Sequence, residues 1–316
     1  MEIGKLGERK IISLIRSLYS YKWPDSDAAY VDFGKKRILI TTDSITRYAH
    51  IPGCAKPGDV GYFFAAINLS DIAAMGGTPR YFMSSFILPA SLDSGYLVSL
   101  EAGIKRCLGK YHVKMIGGDL KEGKELSMTG IAIGEVSRSQ MMQRLRIRSG
   151  DALCVTGSLG GNAAGYYLWK KGSKHGARKM LDVDPRINEG KFLSKNGVRA
   201  AIDLSDGIYS AISQLREATG LGFEICFGSI PVDPLARKLS LKYGIGIEQM
   251  CLNFGGDYEL LFSVSESRLK SLMKNAKRKG FRITKIGTVT GADNFLITGA
   301  RRKKITKHGY EHFITY

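Results

Sequence analysis

Alternating and helical spacings of apolar residues divide the chain into strands and helices. KKRILITTDSI is apolar and β-branched and predicts a strand ending at Asp43. PGDVGYFFAAINLSDIAAMG opens with Pro57, keeps helical spacing and closes at Gly76 and Gly77, so it predicts a helix. YFMSSFILP reads as a strand, LDSGYLVSLEAGIKRCLGKY as an amphipathic helix, VKMIGGD as a strand running into a glycine turn, and LSMTGIAIGEV as a strand. The polar, basic stretch SRSQMMQRLRIRSGD marks a domain junction. Beyond it ALCVTG, RAAIDLS, FEICF, YELLFSV and FRITKIGTV read as strands. The helices among them are the one opened by SLGGNAAG, DGIYSAISQLREAT, VDPLARKLSLKYG and ESRLKSLMKNAKRKG. Alternating strands and helices imply a layered α/β arrangement.

One feature of this pattern is costly. Asp71 sits inside the apolar helix, and its Leu-Ser-Asp trio returns in AAIDLSDG, where Asp203 and Asp206 flank it. Ionised carboxylates in apolar surroundings are expensive unless they are paired or hold a metal. Asp27 in DSDAAYV, Asp43 and Asp119 in MIGGDL also stand among small residues, which let a ligand approach the backbone closely. Any one of them suits a helix cap or a turn. Six together, without a matching set of catalytic His or Cys, point to a hard cation such as magnesium held by carboxylates and substrate phosphates.

Other motifs exclude more than they assign. GDLKEGKE has P-loop spacing but ends in Glu125, where a hydroxyl should hold magnesium. SLGGNAAG misses the dinucleotide fingerprint and reads equally as an anion site at a helix N-terminus or as a tight strand–helix turn. Asn68-Leu69-Ser70 matches a glycosylation sequon by accident.

The 316 residues are 44% hydrophobic and 24% charged, a globular composition, and the length favours two domains. No apolar run is long enough for a membrane span and no signal peptide is expected. The five cysteines are scattered and form no CxxC pair, against a disulfide framework or zinc site and in favour of a cytoplasmic protein. The net charge of +18 concentrates in NAKRKGFRITK and GARRKKITKHGYEHF. Those runs read first as a solvated helix face and a basic hairpin; attraction of a polyanionic small substrate is a further reading. A basic nucleic-acid-binding protein is the distant alternative, disfavoured because no recognised binding motif accompanies the charge.

In order, LGERKIISLI, DSDAAYV, ITTDSITRYAHI, AAINLSDIAAMGGTP, GGDLKEG, CVTGSLGGNAAG, AAIDLSDG, GGDYELLF and GYEHF resemble the thiamine-monophosphate kinase family, within the superfamily of aminoimidazole ribonucleotide synthetases, selenophosphate synthetases and hydrogenase-maturation proteins. The resemblance implies phosphorylation of thiamine monophosphate to thiamine diphosphate by ATP with several magnesium ions; a different acceptor for another enzyme of the superfamily is the alternative. It implies an α+β, α/β two-domain fold. Residues 1–138 would be a mixed ATP- and metal-binding domain forming a barrel-like core in a homodimer, and residues 139–316 an α/β layered domain.

Residue by residue, the resemblance assigns metal positions to Asp27, Thr41, Thr42, Asp43, Asp71, Asp119, Asp203 and Asp206, with Asp43, Asp71 and Asp119 central to catalysis. Gly118, Asp119, Arg144 and Ser205 match ATP contacts, and His50 and Tyr310 match acceptor contacts. Two positions depart from the family pattern: Ser26 replaces a carboxylate in the first acidic motif, and Gly256 stands where the family has Glu.

Overall fold

The computed structural model describes residues 3–20, 25–291, 293–306, 309–310 and 312–313. The first half holds α1 (Glu8–Ser17), β1 (Ala29–Phe33), β2 (Lys36–Thr46), α2 (Arg47–His50), α3 (Pro57–Ala74), β3 (Thr78–Leu88), α4 (Ser94–Lys110), β4 (Lys114–Glu122) and β5 (Ser127–Ser137). Its strands form one open sheet in the order β1-β2-β5-β3-β4, antiparallel except where β4 runs parallel to β3. Among the described residues of one chain the sheet does not close into a barrel.

The second half begins with β6 (Ala152–Thr156), α5 (Gly161–Lys170), α6 (Lys174–Leu181), α7 (Ile187–Lys195), β7 (Ala200–Asp203) and α8 (Gly207–Thr219). β8 (Gly222–Cys226), α9 (Pro234–Tyr243), β9 (Leu260–Val264), α10 (Glu266–Arg278), β10 (Ile283–Thr290), β11 (Phe295–Thr298) and β12 (Arg301–Lys304) follow. These strands make a second sheet, ordered β12-β11-β8-β10-β6-β9-β7.

α3 organises the molecule. Pro57 occupies its first turn and Gly76 follows its C-terminus with φ 71°, so both ends lie where the sequence predicts. The helix is apolar on every side because it is covered on every side: by α4, by β2 and β5, and by α7 and β7 of the second half. Phe64, Leu69 and Ile72 of α3 share one core with Leu193, Val198 and Phe262. A second core, drawn from residues between Ile147 and Leu296, fills the later sheet.

Glycines allow these close crossings. A Cβ on Gly61 would lie 1.9 Å from the Leu100 carbonyl oxygen, and one on Gly103 would lie 2.0 Å from that of Gly58. Backbone cannot yield there as a flexible side chain could. Gly61→Ala is therefore expected to destabilise the protein by about 2 kcal/mol, read as a lowered midpoint in chemical denaturation. An unchanged midpoint would contradict this packing.

Some elements differ from the sequence reading. The strand expected to stop at Asp43 continues to Thr46, paired with β5 throughout. The glycines of VKMIGGD do not turn the chain: β4 runs on to Glu122, and the register slips by one residue opposite Phe82 and Met83, so they mark a bulge. The junction is packed, with Met141 and Met142 buried and the Gln143 N–H bonded to the Arg199 carbonyl at 2.8 Å. Both basic runs follow the solvated reading. α10 buries only Leu272 and Ala276, and β11–β12 form a hairpin whose Arg302 and Lys304 pair with Glu224 and Asp293.

Candidate active site

The buried face of β2 and the last turns of α3 are tied together by polar groups. Leu39, Thr41 and Ile45 are buried on the α3 side of β2, and strand alternation turns Asp43 the same way. The Asn68 amide oxygen accepts the Asp43 N–H at 2.9 Å, while its NH2 donates to the Phe64 carbonyl at 3.0 Å. Gly130 of β5 makes room for this amide, since a Cβ there would come within 2.4 Å of it. The Thr41 hydroxyl donates to Asp71 Oδ2.

From the second half, β7 ends at Asp203, whose Oδ2 accepts the buried Ser70 hydroxyl at 2.7 Å. From the segment before β1, Asp27 accepts Arg144 Nη2 at 2.8 Å. Arg144 also reaches Asp25 at 3.4 Å and the Gln214 side chain at 3.0 Å. Asp27, Asp71 and Asp203 thereby present oxygens within 4.8 Å of one another. Asp27 Oδ2 and Arg144 Nε are the buried side-chain polar atoms without a hydrogen-bond partner among the described residues. A carboxylate oxygen left unpaired beside two further carboxylates fits a bound divalent cation.

The electrostatics follow from this crowding. Burial, then Asp43, Asp203 and Asp27, hold the Asp71 carboxyl well above the ordinary carboxylate range. Burial and Asp27 push Asp203 up to about 7. Burial, Asp206 and Glu8 raise Asp43 to about 6; burial and Glu8 raise Asp206 to about 6. Without a cation these groups repel one another.

The other predicted residues divide into those near this cluster and those away from it. Ser205 and Asp206 form the turn from β7 into α8, where the Ser205 carbonyl accepts the Gly256 N–H at 2.7 Å. His50 ends α2; its Nδ1 accepts the Thr46 N–H at 3.1 Å and its ring lies 6.1 Å from that of His312. Tyr310 is half-exposed, with its hydroxyl 3.3 Å from His312 Nδ1. Thr42 points to the opposite face of β2 and spends its hydroxyl on the Gly130 carbonyl at 2.9 Å. Gly118 and Asp119 lie on the exposed edge strand β4, outside the group of three carboxylates, and Asp119 pairs with Lys121 at 3.4 Å.

Sequence reasoning missed several groups that hold this arrangement. Asn68 and Ser70, dismissed as an accidental sequon, are fully buried and position Asp43 and Asp203. Their signal was a buried helix carrying three polar residues within one turn. The SLGGNAAG turn takes an anion from its own chain: Gly160 and Asn162 N–H groups donate to the Asp257 carboxylate at 2.7 and 3.0 Å. Glu259, also buried, accepts Thr156 at 2.6 Å and Arg186 Nε at 2.6 Å. Between these two anchored carboxylates Tyr258 adopts φ 51°. At Gly256 a Cβ would come within 2.5 Å of the Asn162 amide, so Asn162 occupies the space beside that position.

Comparison with known proteins agrees with this construction. The family model described as AIR synthase related protein, N-terminal domain, matches residues 25–136, and its C-terminal counterpart matches residues 148–298. Thiamine-monophosphate kinase of Buchnera aphidicola subsp. Schizaphis graminum is 34% identical, with 91% of each chain covered. The chain belongs to the thiamine-monophosphate kinase family. The Aquifex aeolicus thiamine-monophosphate kinase is 28% identical over 99% of this chain and 100% of its own. A solved structure, AaThiL complexed with AMPPCP and TMP, superposes with a TM-score of 0.89 at 28% identity, covering 99% of both chains. This family's two-part mixed α/β architecture is the one built above from the sheets and α3.

Proposed function

We propose that this chain transfers the γ-phosphoryl group of ATP to thiamine monophosphate, giving thiamine diphosphate and ADP. The observation that carries the reading is the convergence of Asp27, Asp71 and Asp203, with a buried unpaired oxygen on Asp27, in a chain of this kinase family. An oxygen of the acceptor's phosphate attacks the γ-phosphorus as the bond to the β-phosphate oxygen breaks, so no protein nucleophile is needed. Magnesium held by these aspartates, with Asp43 and Asp206 beside them, would neutralise charge on the polyphosphate.

The chain's own residues do the positioning. Thr41, Asn68 and Ser70 fix Asp71, the Asp43 backbone and Asp203 before any ligand arrives. Arg144 fixes Asp27 and stands where the triphosphate would meet a cation. Ser205 lines the turn beside Asp206, and His50 and Tyr310 supply rings for the acceptor. Thr42, Gly118 and Asp119 keep their proposed metal and ATP roles through the family resemblance.

We assign residues 1–138 and 139–316 to the two domains and propose a cytoplasmic homodimer. No helix among the described residues is long and apolar enough to cross a membrane. The edge strand β4 exposes Met115, Ile116 and Leu120, and β1 exposes Val31 and Phe33. Unpaired apolar edges of this kind call for a partner.

The test follows ADP release with ATP and magnesium in the presence of thiamine monophosphate, thiamine, or neither. Release that depends on thiamine monophosphate, with thiamine diphosphate as the second product, is expected. Release that the monophosphate does not stimulate would overturn the assignment.

A further inference from the structure

The segment leading into β9 lies directly against the turn that carries Ser205 and Asp206. Pairing of β7 with β9 closes with Asp203 opposite Leu260. Beyond it the Leu204 N–H donates to the Glu259 carbonyl at 2.8 Å, and the Tyr258 N–H to the Leu204 carbonyl at 3.1 Å. The Gly256 N–H reaches the Ser205 carbonyl at 2.7 Å. No side chain fits between the two backbones. A Cβ on Gly255 would lie 2.2 Å from the Ser205 carbonyl oxygen, and one on Gly207 would lie 2.6 Å from that of Phe254. Residues 254–259 thus cradle residues 203–207 by backbone alone.

Inside this cradle Gly256 and Tyr258 both take positive φ, 88° and 51°. Glycine adopts that conformation freely, whereas a tyrosine keeps it only where its surroundings impose it. Here its neighbours do so. The Gly160 and Asn162 N–H groups hold Asp257 on one side, and Thr156 and Arg186 hold Glu259 on the other. Glycine at this position would relieve the strain but would lose a ring. That ring meets Phe63 of α3 edge-on, with centroids 6.1 Å apart and planes at 79°, and packs on the core around α3. Phe63 stands about two turns before Asp71 on the same helix. Tyr258 is therefore bonded through its backbone to the Asp203–Asp206 turn and packed through its ring on the helix that carries Asp71.

We propose that Tyr258 is a positioning residue for the carboxylates that hold magnesium, fixing the Asp203–Asp206 turn against α3 before a cation binds. The strained backbone is kept because glycine could not span the two halves of the molecule. This rests on the kinase reading above, which makes these carboxylates a magnesium site.

Tyr258→Gly suits the left-handed backbone and removes the ring, Tyr258→Phe keeps the ring, and Phe63→Leu weakens the same contact from α3. Each protein is titrated with magnesium. One readout is the initial rate with ATP and thiamine monophosphate; the other, without substrates, is the melting temperature. In Tyr258→Gly the half-saturating magnesium concentration should rise about tenfold or more in both, the scale for groups that orient metal ligands. Tyr258→Phe should keep the unsubstituted value, and Phe63→Leu should raise it. Combined, Tyr258→Gly and Phe63→Leu should raise it by less than the product of their separate effects, as partners in one contact do. An unchanged half-saturation in Tyr258→Gly would overturn the proposal, whatever the melting temperature in chelator, and so would independent effects of the two changes. If Tyr258→Gly failed to fold, unaltered magnesium dependence in Phe63→Leu would be enough to reject it. Should thiamine monophosphate fail to stimulate ADP release by the unsubstituted protein, the kinase reading would fall, while the melting titrations would still decide the role of Tyr258.

Discussion

Asp71→Asn is expected to abolish phosphoryl transfer while making the metal-free protein more stable. Asp71 accepts the Thr41 hydroxyl and shares its surroundings with Asp27 and Asp203, whose oxygens lie within 4.8 Å. Burial and these neighbours oppose its ionisation. Asparagine keeps the volume, and its amide oxygen can still accept from Thr41, so the packing of α3 is preserved. What disappears is one negative charge from a site that needs it only when a cation is bound. Turnover should fall by about a thousandfold or more, since charge neutralisation is the main contribution such a site makes. In chelator, the melting temperature of Asp71→Asn should exceed that of the unsubstituted protein by a few degrees. Added magnesium should stabilise the unsubstituted protein and leave the variant unmoved. Retained activity, or an equal magnesium shift in both proteins, would remove Asp71 from the metal site.

Local chemistry made α3 legible. Pro57, the apolar run and the glycine pair after it specify its ends, and the misplaced Asp71 announces a ligand. Asp203 and Asp206 were legible for the same reason, as an acidic repeat where a strand ends and a helix begins. Their convergence was not, because it depends on contacts remote in sequence. Asp27 and Arg144 are 117 residues apart, and Ser70 and Asp203 are 133 apart. The same distance hid the occupant of the SLGGNAAG turn, since Asp257 lies 97 residues from the Gly160 N–H that it accepts. Glycine punctuation misled at β4: Gly117 and Gly118 suggested a turn, and a glycine in a strand serves equally as a bulge. β12 was legible as part of a basic hairpin only through its charges, since Arg301 to Lys304 carry no apolar alternation.

Removing magnesium should cost more stability at pH 8 than at pH 5.5. In the metal-free protein Asp43 and Asp206 are raised to about 6 and Asp203 to about 7, and burial beside Asp43, Asp203 and Asp27 holds Asp71 well above the ordinary range, against about 3.9 for an aspartate in an unfolded chain. A carboxyl group raised by folding binds its proton more tightly in the folded state. Its contribution to stability is therefore complete below about pH 4 and is lost as pH climbs through the folded values. Surface pairs act in the other direction. Asp32 is lowered by its hydrogen bond from Arg37, and Glu135 by those from Lys36 and Arg80, so their contributions vanish only toward acid. Asp257, raised by burial to about 7 at the SLGGNAAG turn, titrates in the interval from pH 5 to 8 as well. The difference between the curves with and without magnesium, rather than the slope of either, therefore reports the acidic site. Across that interval the metal-free protein should lose on the order of 5 kcal/mol, equivalent to a fall of about 10 °C in melting temperature. Magnesium requires ionised oxygens, so its stabilisation should grow over the same interval and flatten the profile. Thermal melts in chelator and in millimolar magnesium, at half-unit steps of pH, give both curves. Parallel curves, with a chelator effect independent of pH, would mean that these carboxylates do not hold the metal.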